Sequence, residues 1–154
     1  MVNARDIAIA ATLAAMYAAT VQALHPISFL QFQVRVANAL IGLVPIIGIP
    51  AVYGLTLGVF LANLTSPLGW IDLLSSIFTF IGLIIVYKLR NVSVILGLTI
   101  YSLILGVWVS FMLWYVLGLP YILMLFYVTV GIWIATTVLG YALYQAVKRI
   151  IVRL

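Results

Sequence analysis

The chain of 154 residues has no cysteine, a single histidine and only two carboxylates, and charged residues make up 6% of it. Without cysteine there are no disulfides, thiolate metal sites or thiol nucleophiles. The two acids, Asp6 and Asp72, stand far apart in sequence, so no carboxylate pair suggests hydrolytic acid–base chemistry. His25 and Asp72 together fall short of the roughly three protein ligands a catalytic metal takes. No glycine-rich loop runs into Lys-Ser or Lys-Thr, so the chain has no means of hydrolysing ATP itself. These gaps leave no catalytic residue, metal site or cofactor to assign, and the chain reads as a non-enzyme.

What fills the sequence is apolar. Hydrophobic residues are 68% of it, and its mean hydropathy is +1.38. A small fold leaves much of its surface exposed, so no water-soluble domain of this size hides that many apolar side chains. The chain is a polytopic membrane protein in contact with lipid. A formal charge of +5 would suit nucleic acid, but the placement of that charge argues against it. Arg5, Lys88, Arg90, Lys148, Arg149 and Arg153 sit at the ends of apolar runs, where topology signals belong.

Residues 7–24 form the first run, about long enough to cross ~30 Å of hydrocarbon. It lacks the compact leader of a signal peptide and is taken as a mature helix. Two small-residue ladders mark it, Ala10/Ala14/Ala18 and Ala11/Ala15/Ala19. Such ladders allow close backbone approach, either inside the protein's own bundle or against another membrane subunit. Residues 36–64 then stay apolar for a stretch that one helix would carry to roughly 44 Å, well beyond the membrane core. Pro45, Gly48 and Pro50 interrupt it, which predicts a tight turn between two short helices.

The third helix, about 50–64, carries Gly54 and Gly58 four apart, and Thr65, Ser66, Pro67 and Gly69 form a turn after it. Trp70 fits an interfacial anchor or a stacking platform. Asp72 opens the fourth helix and shares a face with Ser75 and Thr79, as a helix-capping acid or as part of a site. The fourth run closes at Lys88 and Arg90; the fifth covers about 92–117 and the sixth about 121–146. The expectation is one transmembrane domain over 1–154, an all-α bundle of six helices. Both termini then lie on the basic, cytoplasmic side, with Arg35 alone among the basic residues outside.

Against this background the stretch His25 to Leu40 stands out. It holds the histidine, Gln31, Gln33, Asn38 and an arginine remote from other charge. If helical from Gln31, it places Gln31, Arg35 and Asn38 on one face. Such groups are costly beside lipid and should face protein or water, as in a ligand site. Alternatively, Arg35 snorkels to the membrane surface and the amides pair with backbone.

Several segments together resemble a known family. They are Ala4-Arg5-Asp6 before an alanine-rich helix, a Pro-Ile-Ser-Phe segment, and Gln33-Val34-Arg35-Val36-Ala37-Asn38-Ala39-Leu40. Gly58-Val59-Phe60-Leu61-Ala62-Asn63-Leu64, Gly69-Trp70-Ile71-Asp72 and Thr79 follow in order. Over roughly residues 1–80 this resembles the substrate-binding S-components of energy-coupling factor (ECF) transporters, specifically the queuosine-precursor (QueT) family. That family shows Phe-Arg-x-Ser-Glu-Ala-Leu, Gly-x-x-x-Ala-Asn-Leu, Gly-x-x-Asp and a later Ala-Thr.

The resemblance implies a prokaryotic plasma-membrane protein of six helices, with a small-molecule pocket opening outward under the loop joining the first two. It implies partners as well: a transmembrane coupling subunit and a pair of ATPases, with the Ala10/Ala14/Ala18 and Ala11/Ala15/Ala19 ladders as candidate docking surfaces. The implied cargo is a 7-deazaguanine such as preQ0 or preQ1, or a related vitamin or nucleobase. In that setting Arg35 would bond a ligand carbonyl or ring nitrogen, and Gln31, Asn38 and Asn63 would offer amides. Asp72 would accept from an amino edge, and Phe32 or Trp70 would stack on the ring. Where the family has Ser-Glu this chain has Ala37-Asn38, which favours a neutral ligand over a cationic one. A self-sufficient carrier and a non-transport assembly subunit remain as alternatives.

Overall fold

The computed structural model describes residues 3–24 and 35–153. Helix α1 covers Ala4–Ala23, α2 Val36–Ile47, α3 Ile49–Asn63, α4 Gly69–Leu89 and α5 Val94–Leu117. Helix α6 runs as Tyr121–Trp133, a π-helical stretch Ile134–Leu139, and Gly140–Arg153. All the described secondary structure is helical. Four helices are long and apolar enough to cross a membrane, and α2 and α3 are shorter apolar helices.

The break between α2 and α3 falls where proline and glycine predict it. Pro45 and Pro50 occupy first-turn positions of the helical segments Val44–Ile47 and Ile49–Asn63, where a missing N–H is harmless. Between them Gly48 has φ 85° and ψ −143°, a conformation that side chains with a Cβ avoid. The winding of α2 differs from expectation. Its first eight residues, Val36–Leu43, form a 3₁₀ helix, and only Val44–Ile47 is α-helical. A 3₁₀ rise of about 2.0 Å per residue lengthens α2 to roughly 22 Å, against about 18 Å for an α-helix of the same length. That brings α2 close to the reach of α3.

The six helices pack as a ring in the order α1, α3, α4, α5, α6, α2, closed by α2 against α1. The most extensive seam joins α1 to α3. A Cβ added at Gly54 would lie 2.8 Å from Ala10 Cα, and one at Gly58 would lie 2.8 Å from Tyr17 Cβ and 3.2 Å from Ala14 Cα. The glycine pair of α3 therefore seats the Ala10/Ala14 side of α1, where backbone contact supplies dispersion that lipid does not. Across the ring, Gly42 of α2 meets the Gly140 backbone at the end of the π-helical stretch. Core side chains such as Tyr17, Ile41, Leu55, Leu83, Leu98, Tyr101 and Met112 fill the interior.

Candidate functional site

Away from the basic helix ends, Arg35, Asn38, Asn63, Asp72 and Ser75 form a buried polar cluster. Asp72 is fully buried in the 3₁₀ first turn of α4. Side-chain donors meet its carboxylate. Asn63 Nδ2 (3.1 Å) and Ser75 Oγ (2.7 Å) donate to Oδ1. Ser66 Oγ (2.6 Å) donates to Oδ2, and Arg35 Nη2 lies 3.4 Å from that oxygen. Asn63 also donates to the Asp72 carbonyl at 2.9 Å. Two oxygens offer about four lone-pair sites, so this carboxylate is filled. Asn63 closes α3, Ser66 sits in the following turn and Ser75 begins the α-helical part of α4. The acid therefore ties the α3–α4 connection together and anchors Arg35 to it.

Arg35 is only 7% exposed, which places its guanidinium inside the protein rather than at a membrane surface. Its backbone is extended (φ −75°, ψ 93°) and precedes the 3₁₀ helix. The Asn38 N–H donates to the Arg35 carbonyl at 2.8 Å. Residues three apart eclipse in a 3₁₀ helix, so Arg35 and Asn38 share a side by winding different from the α-helical spacing expected of them. Tyr17 of α1 fixes the amide: its hydroxyl donates to Asn38 Oδ1 at 2.6 Å, and the Arg35 guanidinium lies beside the same hydroxyl. With its oxygen so engaged, Asn38 turns its NH₂ away from Tyr17.

These groups bound a cavity inside the ring. Tyr17, Arg35, Asn38, Ser75, Thr79 and Tyr101 give it a polar wall, and Leu105, Val109 and Ile132 an apolar one. Five of the six helices contribute. The cavity is about 10 Å³, room for about one water, so anything larger needs the wall to open. Trp108 reinforces the wall from behind, donating from Nε1 to Ser75 Oγ at 2.9 Å and stacking on Phe78 with ring centroids 4.2 Å apart.

Of the site residues expected from sequence, Arg35 and Asn38 line this cavity, while Asn63 and Asp72 form the layer beyond. Trp70 is 77% exposed and lies off the cavity wall. Gln31 and Phe32 lie outside the described residues. Sequence reasoning missed Tyr17 and Tyr101 as site groups. A signal existed: both stand near the middle of apolar runs, remote from the interfaces where tyrosine usually belongs. Among the described residues no group of acids and histidines is placed to hold a metal ion.

On α1 the two alanine ladders, both expected as candidate docking surfaces, separate. Ala10 and Ala14 face α3, and Ala14 is buried there; Ala18, the next rung, is half-buried. The glycines of α3 meet Ala10 and Ala14, so these two rungs serve the protein's own bundle. Ala11, Ala15 and Ala19 are exposed. Grooves flank the beginning of the helix. One is lined by Ala10, Ala11, Ile49, Pro50, Tyr53 and Leu57, the other by Arg5, Ala8, Ile9, Thr12, Leu13 and Ile47.

Comparison with known proteins gives one positive result. The family model described as QueT transporter matches residues 7–149. No curated protein and no solved structure matches the chain.

Proposed function

The chain belongs to the QueT transporter family, a family of membrane transport proteins, and from that membership we propose that it is the substrate-binding S-component of an ECF transporter. Its cargo is a queuosine precursor of the 7-deazaguanine class. The observation that carries this reading is the inward-held pair Arg35 and Asn38 on a small cavity, in a chain with no phosphate-binding loop to drive transport. A site without a motor fits a component that binds cargo and borrows ATP hydrolysis from a coupling subunit with two ATPases. Arg35 meets a carbonyl or ring nitrogen of the ligand, and Asn38 supplies amide N–H. Gln31, Phe32, Asn63 and Asp72 belong to the proposed site as contacts or support, and Trp70, exposed off the cavity wall, serves as an interfacial anchor. The basic ends carrying Arg5, Lys88, Arg90, Lys148 and Arg149 face the cytoplasm of a prokaryotic cell, following the positive-inside rule. The coupling subunit docks on α1, with Ala11, Ala15 and Ala19 as its outward-facing ladder.

Ligand-induced thermal stabilisation of the purified full chain tests this directly. A deazaguanine at 100 times its Kd stabilises the folded state by about 2.7 kcal/mol and raises the melting temperature. Arg35→Ala abolishes that shift. The variant still folds, with a lower unliganded melting temperature, because Asp72 loses its countercharge but keeps Asn63, Ser66 and Ser75 as donors. No shift for the wild-type chain with any deazaguanine, vitamin or nucleobase contradicts the reading.

A further inference from the structure

Several hydroxyls in the described helices satisfy themselves locally. Thr12, Thr20, Thr56, Ser102 and Ser110 each donate to the carbonyl four residues earlier. Thr79 does not. It is 1% exposed, Tyr101 stands beside it without an aligned hydrogen bond, and Oγ1 has no partner. Other buried hydroxyls also lack partners (those of Ser76, Thr129, Thr136 and Thr137), but only Thr79 among these described residues lies on the cavity wall. A buried hydroxyl without a partner destabilises the fold, and its place on a cavity wall gives that cost a purpose if a ligand completes it.

The acid behind the wall is in the opposite condition. Both Asp72 oxygens are engaged by Asn63, Ser66, Ser75 and Arg35, and Asp72 does not border the cavity. A cationic ligand would have to displace one of these donors to reach the carboxylate. Arg35 already neutralises that charge, and Arg35 and Asn38, both carriers of N–H donors, line the cavity. Resting on the transporter reading above, we propose that Thr79 is a ligand contact. Together with Arg35 and Asn38 it recognises an uncharged ligand through its hydrogen-bond acceptors, while Asp72 is withheld from the ligand. Within the deazaguanines this selects a neutral substituent at C7, such as a nitrile, over a protonated aminomethyl group.

The test compares equilibrium binding of 7-cyano-7-deazaguanine and 7-aminomethyl-7-deazaguanine to the purified full chain and to Thr79→Val. The wild-type chain binds the cyano compound at least tenfold more tightly. Thr79→Val weakens that binding about tenfold, while its unliganded melting temperature stays the same or rises, because valine replaces an unpartnered hydroxyl with a methyl of similar size. Equal or tighter binding of the aminomethyl compound overturns the proposal and leaves the transporter reading standing, as does unchanged affinity in Thr79→Val. Binding of neither compound overturns the deazaguanine reading and this inference with it.

Discussion

Asp72 gathers four side-chain donors around two oxygens, and Arg35 depends on it for countercharge. Removing one member of a buried ion pair strands the other, which costs about 3–5 kcal/mol. Asp72→Asn therefore lowers the unfolding free energy of the detergent-solubilised protein by that order. The double variant Arg35→Gln/Asp72→Asn is less destabilised than the sum of its single changes. Additive losses would show that the two side chains do not communicate. Arg35, Asn38 and Asp72 were legible in the sequence because charge and amide are rare in so apolar a chain. Thr79 was legible only as a neighbour of Asp72 on one helix face; Tyr17 and Tyr101 were not singled out, because their place mid-run sets them apart from interfacial tyrosines but does not say whether they face a cavity or a neighbouring helix. Only the ring arrangement decides which way each points.

Helix α1 presents two different faces, and each makes a distinct prediction. Gly54→Ala drives a Cβ to within 2.8 Å of Ala10 Cα, so α1 and α3 have to separate. Overpacking of that kind costs about 1–3 kcal/mol, measurable as a lower melting temperature. Ala15→Leu, on the exposed ladder, changes stability by no more than about 0.5 kcal/mol. On the proposed S-component reading it abolishes co-purification with a coupling subunit. Retained co-purification would move the docking surface off this ladder. Spacing alone could not tell the Ala10/Ala14/Ala18 ladder from its neighbour, because both repeat every four residues and only the position of α3 separates them. The Pro45-Gly48-Pro50 break was readable because proline and glycine act through local geometry. The 3₁₀ winding of α2 and the π-helical stretch of α6 were not, since no residue in Val36–Leu43 or Ile134–Leu139 prefers such winding intrinsically. Both lie at the α2–α6 seam, where Gly42 meets Gly140, which points to tertiary packing as their cause.

For the molecule as a whole, six apolar runs separated by turns and basic residues made the helix count legible, because hydropathy and charge placement obey the membrane directly. The order of helices around the ring was only hinted at, by alanines on α1 and glycines on α3 sharing a spacing of four. The central claim is that this ring holds cargo and takes its driving force from elsewhere. The most direct measurement is uptake of labelled deazaguanine into liposomes containing the chain alone or with its coupling subunit and ATPases. The account predicts binding but negligible uptake by the chain alone, and uptake that follows ATP hydrolysis in the full assembly. Sustained uptake by the chain alone would contradict it.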